Sequence, residues 1–379
     1  MVPVRNDPEN LARCLRALAK TDYSNFEVIV VDDASTDQTG SVASSLGCRV
    51  VTLDQQSGPA LARNYGAEAA RSGLILFVDA DVCVSPKTIG QFIEIFEGES
   101  DVAAVFGSYD AVPDKLNLIS QYKNLLHHFV HQNGNHNAST FWAGCGAIRR
   151  PLFLEVNGFD TKHQRPCIED IELGVRLRKA GYKIKLDPNI QVTHLKHWTL
   201  WEWIRTDIFD RAIPWTRLIL NENMALYDLN LSISQRFSAI LCCGLLILFL
   251  VGSWHEPWLL FLPCFGLFVM LLVDHCGHQD WRGYVMSVFF ALLAIGCFAG
   301  LALRFEWWML APALIVLVVV IVNFGLFRFF ARSHHLMFAL MVVPLHILYF
   351  TYSSAVFGVC LIWHLLTRVA SPQVKAAQQ

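Results

Sequence analysis

The chain of 379 residues has no surplus of positive charge, no C-x-x-C cysteine pair and, over its last third, few charges of either sign. Lys and Arg number 30 against 32 Asp and Glu, a net charge of −2. No basic stripe runs along any segment. This excludes a nucleic-acid partner, because phosphate backbones are met by clustered Lys and Arg. The eleven Cys are scattered, with no C-x-x-C pair. Several fall in apolar runs (Cys242, Cys243, Cys264, Cys297, Cys360) and read as small buried hydrophobes in a reduced compartment. There is no internal repeat, no low-complexity tract and no leader-type segment ahead of the polar part. Met1-Val2-Pro3-Val4-Arg5-Asn6-Asp7 has the form of a strand end entering a turn, without the apolar run expected before it. The expectation is that residue 1 lies inside a longer first strand.

Two acidic clusters about fifty residues apart carry the most information. One is Val30-Val31-Asp32-Asp33-Ala34-Ser35-Thr36-Asp37; the other is Leu76-Phe77-Val78-Asp79-Ala80-Asp81. Each follows a short β-type apolar run, which places carboxylates at a strand end, where open α/β sheets bind ligands. Two carboxylates separated by one small residue make a compact hard-oxygen site for Mg²⁺ or Mn²⁺. A metal held this way serves a phosphorylated ligand, so the pattern points to an enzyme acting on a nucleotide or nucleotide sugar.

Around these clusters, strands and helices alternate. Helices are expected over 10–20, 39–46, 59–71 and 86–96, and strands over 26–31, 48–53, 74–78 and 102–109. Pro59 stands at a helix start and Gly73 just past its end. The alternation predicts an α/β domain with a mostly parallel sheet. Residues 117–136 read as helix then loop, and 142–148 as a strand whose glycines, Gly144 among them, admit a backbone or ligand. A charged helix follows over 169–181, then two short strands over 183–186 and 190–194. Residues 198–220 form an amphipathic segment rich in Trp and Arg, with an interfacial character. This gives a domain over 1–220, a linker over 221–236 and a polar tail over 367–379.

From 237 to 366 the composition changes to apolar. Runs over 237–251, 258–273, 284–303, 309–327 and 336–366 predict about five membrane spans, four as the alternative, in an all-α bundle. Arg211, Arg217 and Arg236 precede the first run, and Arg328 and Arg332 follow the fourth. If spans alternate, both groups lie on one side, which predicts a multi-pass membrane protein with its polar domain in the cytoplasm.

Residues 2–220 resemble family 2 glycosyltransferases of the GT-A fold. The resemblance is carried by Pro3-Val4-Arg5-Asn6-Asp7, Val30 to Thr39, Gly58-Pro59-Ala60-Leu61-Ala62-Arg63-Asn64-Tyr65-Gly66, Phe77-Val78-Asp79-Ala80-Asp81, and Glu169-Asp170. It implies a nucleotide-sugar donor, with Pro3, Arg5, Asp32, Asp33 and Asp79 on the donor side. It also implies Mg²⁺ or Mn²⁺ on Asp79 and Asp81, with His194 as a third contact. Arg63 suits diphosphate oxygens because its fork bonds two at once. Glu169 and Asp170 match the acceptor-side acidic pair, with Asp170 as general base and inversion at the anomeric centre. Gly144 falls on the acceptor side. Each residue also has a structural reading: a turn and cap for Asp32, Asp33 and Asp37, a surface position for Arg63, and dipole-favoured helix-start charge for Glu169 and Asp170.

Processive members of the family carry a Q-x-x-R-W motif. Here Arg211 and Trp215 are separated by three residues, without the Gln, so donor binding by Arg211 and acceptor stacking by Trp215 compete with an interfacial-helix reading. The expectation is an inverting, membrane-anchored transferase acting on a hydroxyl or phosphate acceptor, lipid or saccharide. A processive polysaccharide synthase is the alternative. A non-catalytic sugar-nucleotide-binding membrane scaffold and a transporter are the alternatives from other classes.

Overall fold

The structure is a computed structural model and describes residues 1–222, 233–255 and 310–370. The described residues form two compact units. The first comprises Met1–Asp114 and Asn124–Lys196; the second comprises Lys115–Lys123 and the chain after Lys196. In this division the amphipathic 198–220 segment falls in the second unit.

The first unit opens as its periodicity predicts. Strand β1 (Val2–Val4) leads to helix α1 (Pro8–Leu18), which Asp7 caps by accepting the Asn10 amide and which buries Leu11, Cys14, Leu15 and Leu18 along one face. Strand β2 (Ile29–Asp32), helix α2 (Thr39–Ser45), strand β3 (Arg49–Thr52) and helix α3 (Pro59–Ala69) follow. The order β1-β2-β3 is parallel throughout, with Val4 in register with Asp32 and Asp32 with Thr52. This register brings the first acidic cluster to the carboxyl edge of the sheet.

The second sheet departs from the expectation. It is built from β4 (Leu74–Val78), β5 (Val82–Val84), β6 (Val102–Tyr109), β7 (Asn137–Ala138), β8 (Cys145–Arg149) and β9 (Lys183–His194). The order is β4-β8-β6-β9-β5, with β7 on β9. Only β6 and β9 run parallel; the other pairs are antiparallel. The sheet system is therefore mixed rather than mostly parallel, since strand patterns report faces and not direction. The two strands expected over 183–194 are one strand, continuous through Asp187 and Pro188 and irregular against β6.

Helices α4 (Thr88–Gly98), α5 (Leu118–Gln132), α6 (Arg150–Glu155) and α7 (Glu169–Lys179) cover the sheets, with the first residues of α5 assigned to the second unit. All eight residues of β6 are buried. Behind the second acidic cluster, Phe77, Phe153 and Phe159 meet with ring centroids 5.2 to 5.5 Å apart. Such pairs add about 0.5–1.5 kcal/mol each beyond area burial and fix the floor beneath Asp79.

In the second unit, α8 (Leu200–Arg205), a π-helical turn (Thr206–Ala212) and α9 (Ile213–Glu222) replace the single amphipathic helix expected. Helix α10 (Ile233–His255) begins inside the expected linker, and α13 (Leu336–Ala370) continues through Pro344 into the expected tail. Helices α11 (Leu310–Val322) and α12 (Phe324–Ser333) meet at a 72° bend around Asn323, which donates to Ser238 Oγ and Val319 O at 2.8 Å. Among the described residues two helices are long and apolar enough to cross a membrane, or three if the bent pair counts as one span. The expected runs over 258–273 and 284–303 lie outside the described residues.

Candidate active site

The site assembles in the first unit from four segments. At the end of β2, Asp32 Oδ1 accepts the Ser35 amide at 3.0 Å. Asp33 closes a second turn: its two oxygens accept the Ser57 and Gly58 amides at 2.7 and 2.9 Å. Both carboxylates are buried. Pro3 lies in β1 opposite Val31, and Arg5 is exposed just past the strand. The nucleoside-side residues of the motif thus line one edge, with Asp32 and Asp33 also holding the loops they belong to.

The second cluster follows β4. The Asp79 amide donates to Gly144 O at 3.1 Å, and the Val82 amide donates to Asp79 O at 3.0 Å, so the Asp79-Ala80-Asp81 turn is held at both ends. Gly144 is required here: a Cβ would stand 2.5 Å from the Trp142 ring. Strand β5 pairs antiparallel with β9, setting Val82 against His194. His194 Nε2 therefore comes 3.7 Å from Asp81 Oδ2. Burial opposes ionisation of Asp81, but His194 and Lys196 outweigh it and hold the carboxyl below the usual range. The His194 ring stacks on Tyr109, with centroids 4.1 Å apart and planes 11° apart.

Arg63 does not stand on the helix surface, as its structural reading had it; it is 5% exposed. Its Nη1 donates to Glu169 Oε1 at 2.7 Å and its Nη2 to Asp79 Oδ1 at 2.8 Å. Alanines and Gly66 line the buried face of α3 and leave room for the guanidinium inside. Glu169 is likewise buried, and its Oε2 accepts the Cys167 amide at 2.8 Å. Both of its oxygens are engaged within the protein, one by the buried Arg63.

Asp170 lies in the first turn of α7. Its Oδ2 accepts the Ala143 amide at 3.1 Å and its Oδ1 the Ile171 amide at 2.8 Å. Burial, reinforced by the Glu169 charge, pushes its carboxyl up to about 7, against the pull of these bonds and of Arg63. A carboxylate with that affinity can take a proton near neutral pH. Among the described residues no three His, Cys, Asp or Glu side chains converge into a self-sufficient metal cage.

Tyr109, Trp142 and Lys196 were not singled out from the sequence. Lys196 stands two residues past His194 in an extended segment, and the Leu195 amide donates to Asp81 O at 2.8 Å. That i, i+2 relation to His194 is the signal that could have found it. Arg211 and Trp215 fall in the second unit. Arg211 Nη1 donates to Asp207 Oδ1 at 3.0 Å, and Trp215 is partly buried in α9.

A parallel strand block whose carboxyl edge carries Asp32 and Asp33, a D-x-D turn, and an acidic helix start are together the features of a GT-A-type domain. The family model for glycosyl transferase family 2 matches residues 1–156, and a second, described as the N-terminal domain of galactosyltransferase, matches residues 124–198. Residues 1–156 are thus similar to glycosyl transferase family 2. The pre-mycofactocin glycosyltransferase of Mycobacterium tuberculosis is 28% identical over 233 residues, covering 55% of this chain and 45% of that protein. The poly(ribitol-phosphate) beta-N-acetylglucosaminyltransferase TarS of Staphylococcus aureus is 36% identical over 115 residues, covering 28% of this chain and 20% of that protein. The chain spans about half the length or less of these curated relatives. Among solved structures, a mannosyltransferase from Pyrobaculum calidifontis in complex with GDP-Man and Mn²⁺ is similar over 85% of each chain, at 18% identity and a TM-score of 0.49.

Proposed function

We propose that the protein is an inverting glycosyltransferase that moves one sugar from a nucleotide-sugar donor to an acceptor at a membrane surface. The observation that carries this reading is the placement of Asp170 beside the D-x-D turn, linked to it through Glu169 and Arg63. The nucleoside lies along Pro3, Arg5, Asp32 and Asp33, whose oxygens keep lone pairs free for a base or ribose. Asp81 and His194, with the remaining oxygen of Asp79, form an oxygen-and-imidazole set that fits Mg²⁺ or Mn²⁺ when donor phosphates complete the shell. Such an ion neutralises charge on the departing nucleoside diphosphate. Asp170 accepts the proton of the attacking hydroxyl, and the Ala143 and Ile171 amides keep its carboxyl oriented. Gly144 makes room for the Trp142 ring, and both lie on the acceptor side in this reading.

The apolar helices of the second unit anchor the enzyme, with the transferase domain in the cytoplasm. They make a lipid the favoured acceptor class over a soluble saccharide.

The test is a screen of radiolabelled nucleotide sugars with membranes containing the protein and Mn²⁺ or Mg²⁺, then extraction into organic solvent. Label in the organic phase, absent with Asp81→Ala, is the expected result. Label retained as insoluble polymer would replace the single-transfer reading with a processive one. No transfer from any donor, with the protein folded, would leave the scaffold reading standing.

A further inference from the structure

We infer that Arg63 and Asn64 form a positioning clamp that sets the distance between the D-x-D turn and the helix bearing Asp170, and that Arg63 is not a ligand of the donor diphosphate. The inference rests on the transferase reading above.

The geometry is specific. Arg63 and Asn64 are neighbours in α3, yet they hold three distant segments. Arg63 reaches Asp79 across 16 residues and Glu169 across 106. Asn64 Nδ2 donates to Phe159 O, and the Phe159 amide donates to Asn64 Oδ1, both at 2.9 Å. The turn before Phe159 needs Gly158, whose φ is +61° and whose added Cβ would collide with Asn64 Oδ1. The Phe159 ring in turn lies under the guanidinium, 5.4 Å from its centroid. The D-x-D turn, the 158–159 turn and the first turn of α7 are therefore fastened to one turn of one helix.

Burial and engagement argue against the ligand role. A guanidinium offers five N–H donors, and a diphosphate would take them in pairs from the outer fork. Here each outer nitrogen already gives one of its two N–H groups to a carboxylate, and the side chain is 5% exposed. Nε has no hydrogen-bond partner among the described residues, but it is buried. Arg63 is also the cation among Asp79, Glu169 and Asp170, and burial works against its charge less than these three carboxylates favour it. Removing it would bring the carboxylates into repulsion and let the two halves of the site drift. A misplacement of about 1 Å costs on the order of 10²-fold in rate without loss of binding energy at the nucleotide. Glu169 belongs to the same device: with Oε1 on Arg63 and Oε2 on the Cys167 amide, it cannot turn toward substrate.

The experiment uses the full-length protein in detergent with Arg63→Lys and Glu169→Gln. Lys keeps the charge but cannot span both carboxylates; Gln keeps the shape and one acceptor. Folding is checked by circular dichroism, and Glu169→Gln carries the test if Arg63→Lys does not fold. Two quantities are read: the affinity for nucleoside diphosphate with Mn²⁺ by calorimetry, and kcat with the donor found in the screen. We expect affinity within about threefold of wild type and kcat down about 10- to 100-fold. A second readout separates positioning from general loosening. The charged groups acting on Asp170 are Glu169 and Arg63. Glu169→Gln removes the like charge, so the acid limb of kcat moves to lower pH even as kcat falls. A tenfold or greater loss of nucleotide affinity with kcat preserved would make Arg63 a ligand through Nε and overturn the inference. So would wild-type kcat in both variants. If the wild type itself neither binds a nucleoside diphosphate nor turns over, the transferase reading has failed and the clamp falls with it; the two failures are told apart by the wild-type controls.

Discussion

The two units each bury a charge between opposite charges, and they do it in opposite ways. In the first, one cation, Arg63, lies between Asp79 and Glu169. In the second, one anion, Asp207, lies between Lys123 and Arg211 and also accepts from Trp203 Nε1 at 2.7 Å and Tyr352 OH at 2.6 Å. Both oxygens of Asp207 are in use, and Lys123 also sits over the Trp198 and Trp203 rings. Burial would raise the Asp207 carboxyl, but Lys123, Arg211 and Tyr352 hold it down to about 2. Burial pulls Lys123 down to about 8 against the same partner. The Arg63 cluster is less complete: Nε is unpartnered among the described residues, and the Asp79 side chain is 32% exposed. Saturated partners mark a joint of the fold. Open valences beside solvent mark a place built to receive something further.

That contrast breaks if the open cluster is also only a joint. The largest expected effect is therefore at Asp170. Asp170→Asn should lower turnover about 10²- to 10⁴-fold while the variant stays folded and binds donor, measured by initial rates and calorimetry. In the wild type, turnover should rise with pH through about 7 and level off above it, because the ionised carboxylate is the active form and burial has raised its affinity for the proton. Activity unchanged by the substitution, or an acid limb near pH 4, would remove Asp170 as the base.

The next effect concerns stability. Asp207→Asn should cost the second unit about 3–5 kcal/mol, since it leaves the largely buried Lys123 against a neutral amide. The same stabilisation in the wild type is fully present above the carboxyl's ordinary value of 3.8 and is lost as pH falls toward about 2. Thermal unfolding in detergent from pH 6 to 2, wild type against variant, reads both. A variant as stable as wild type at pH 6 would demote Asp207 to a bystander. The π-helical turn that carries it would then need another cause.

How far these two clusters could be read from sequence differs, for physical reasons. Asp79 and Asp81 were legible because they sit where an apolar strand run stops, and the run reports its own end. Strand β4 was legible to the residue for the same reason. Asp170 was legible only through the family's acidic pair at a helix start. The interior place of Arg63 was not. The period of α3 identifies a small-residue face, but whether a long cation tucks between alanines depends on carboxylates 16 and 106 residues away. The direction of β8 and β5 was hidden because alternation is the same in parallel and antiparallel pairs. Asp187 and Pro188 looked like a turn between two strands, yet Gln132 Nε2 donates to Pro188 O at 2.8 Å and the strand runs on. The π-helical turn was invisible because one inserted residue shifts a helical pattern no more than ordinary scatter does.

The smallest effect sharpens the comparison most, because it asks which cation of the first unit meets the donor. If Arg63 is a clamp, another positive group must face the diphosphate, and Lys196 is placed for it. It is exposed, it follows His194 by two residues, and the Leu195 amide bond to Asp81 O keeps its segment against the D-x-D turn. Its charge already reaches Asp81, helping to hold that carboxyl ionised. An exposed ion pair contributes about 0.2–1 kcal/mol, so Lys196→Gln should weaken nucleoside diphosphate binding no more than about fivefold. The loss should fade at high salt, where exposed charges are screened, and should be absent for the nucleoside without phosphates. Calorimetry at two salt concentrations with each ligand is sufficient. An equal loss for the phosphate-free nucleoside would mean that Lys196 shapes the loop instead. No loss at low salt would return the diphosphate to Arg63 and erase the difference between a buried cation that positions and an exposed one that binds.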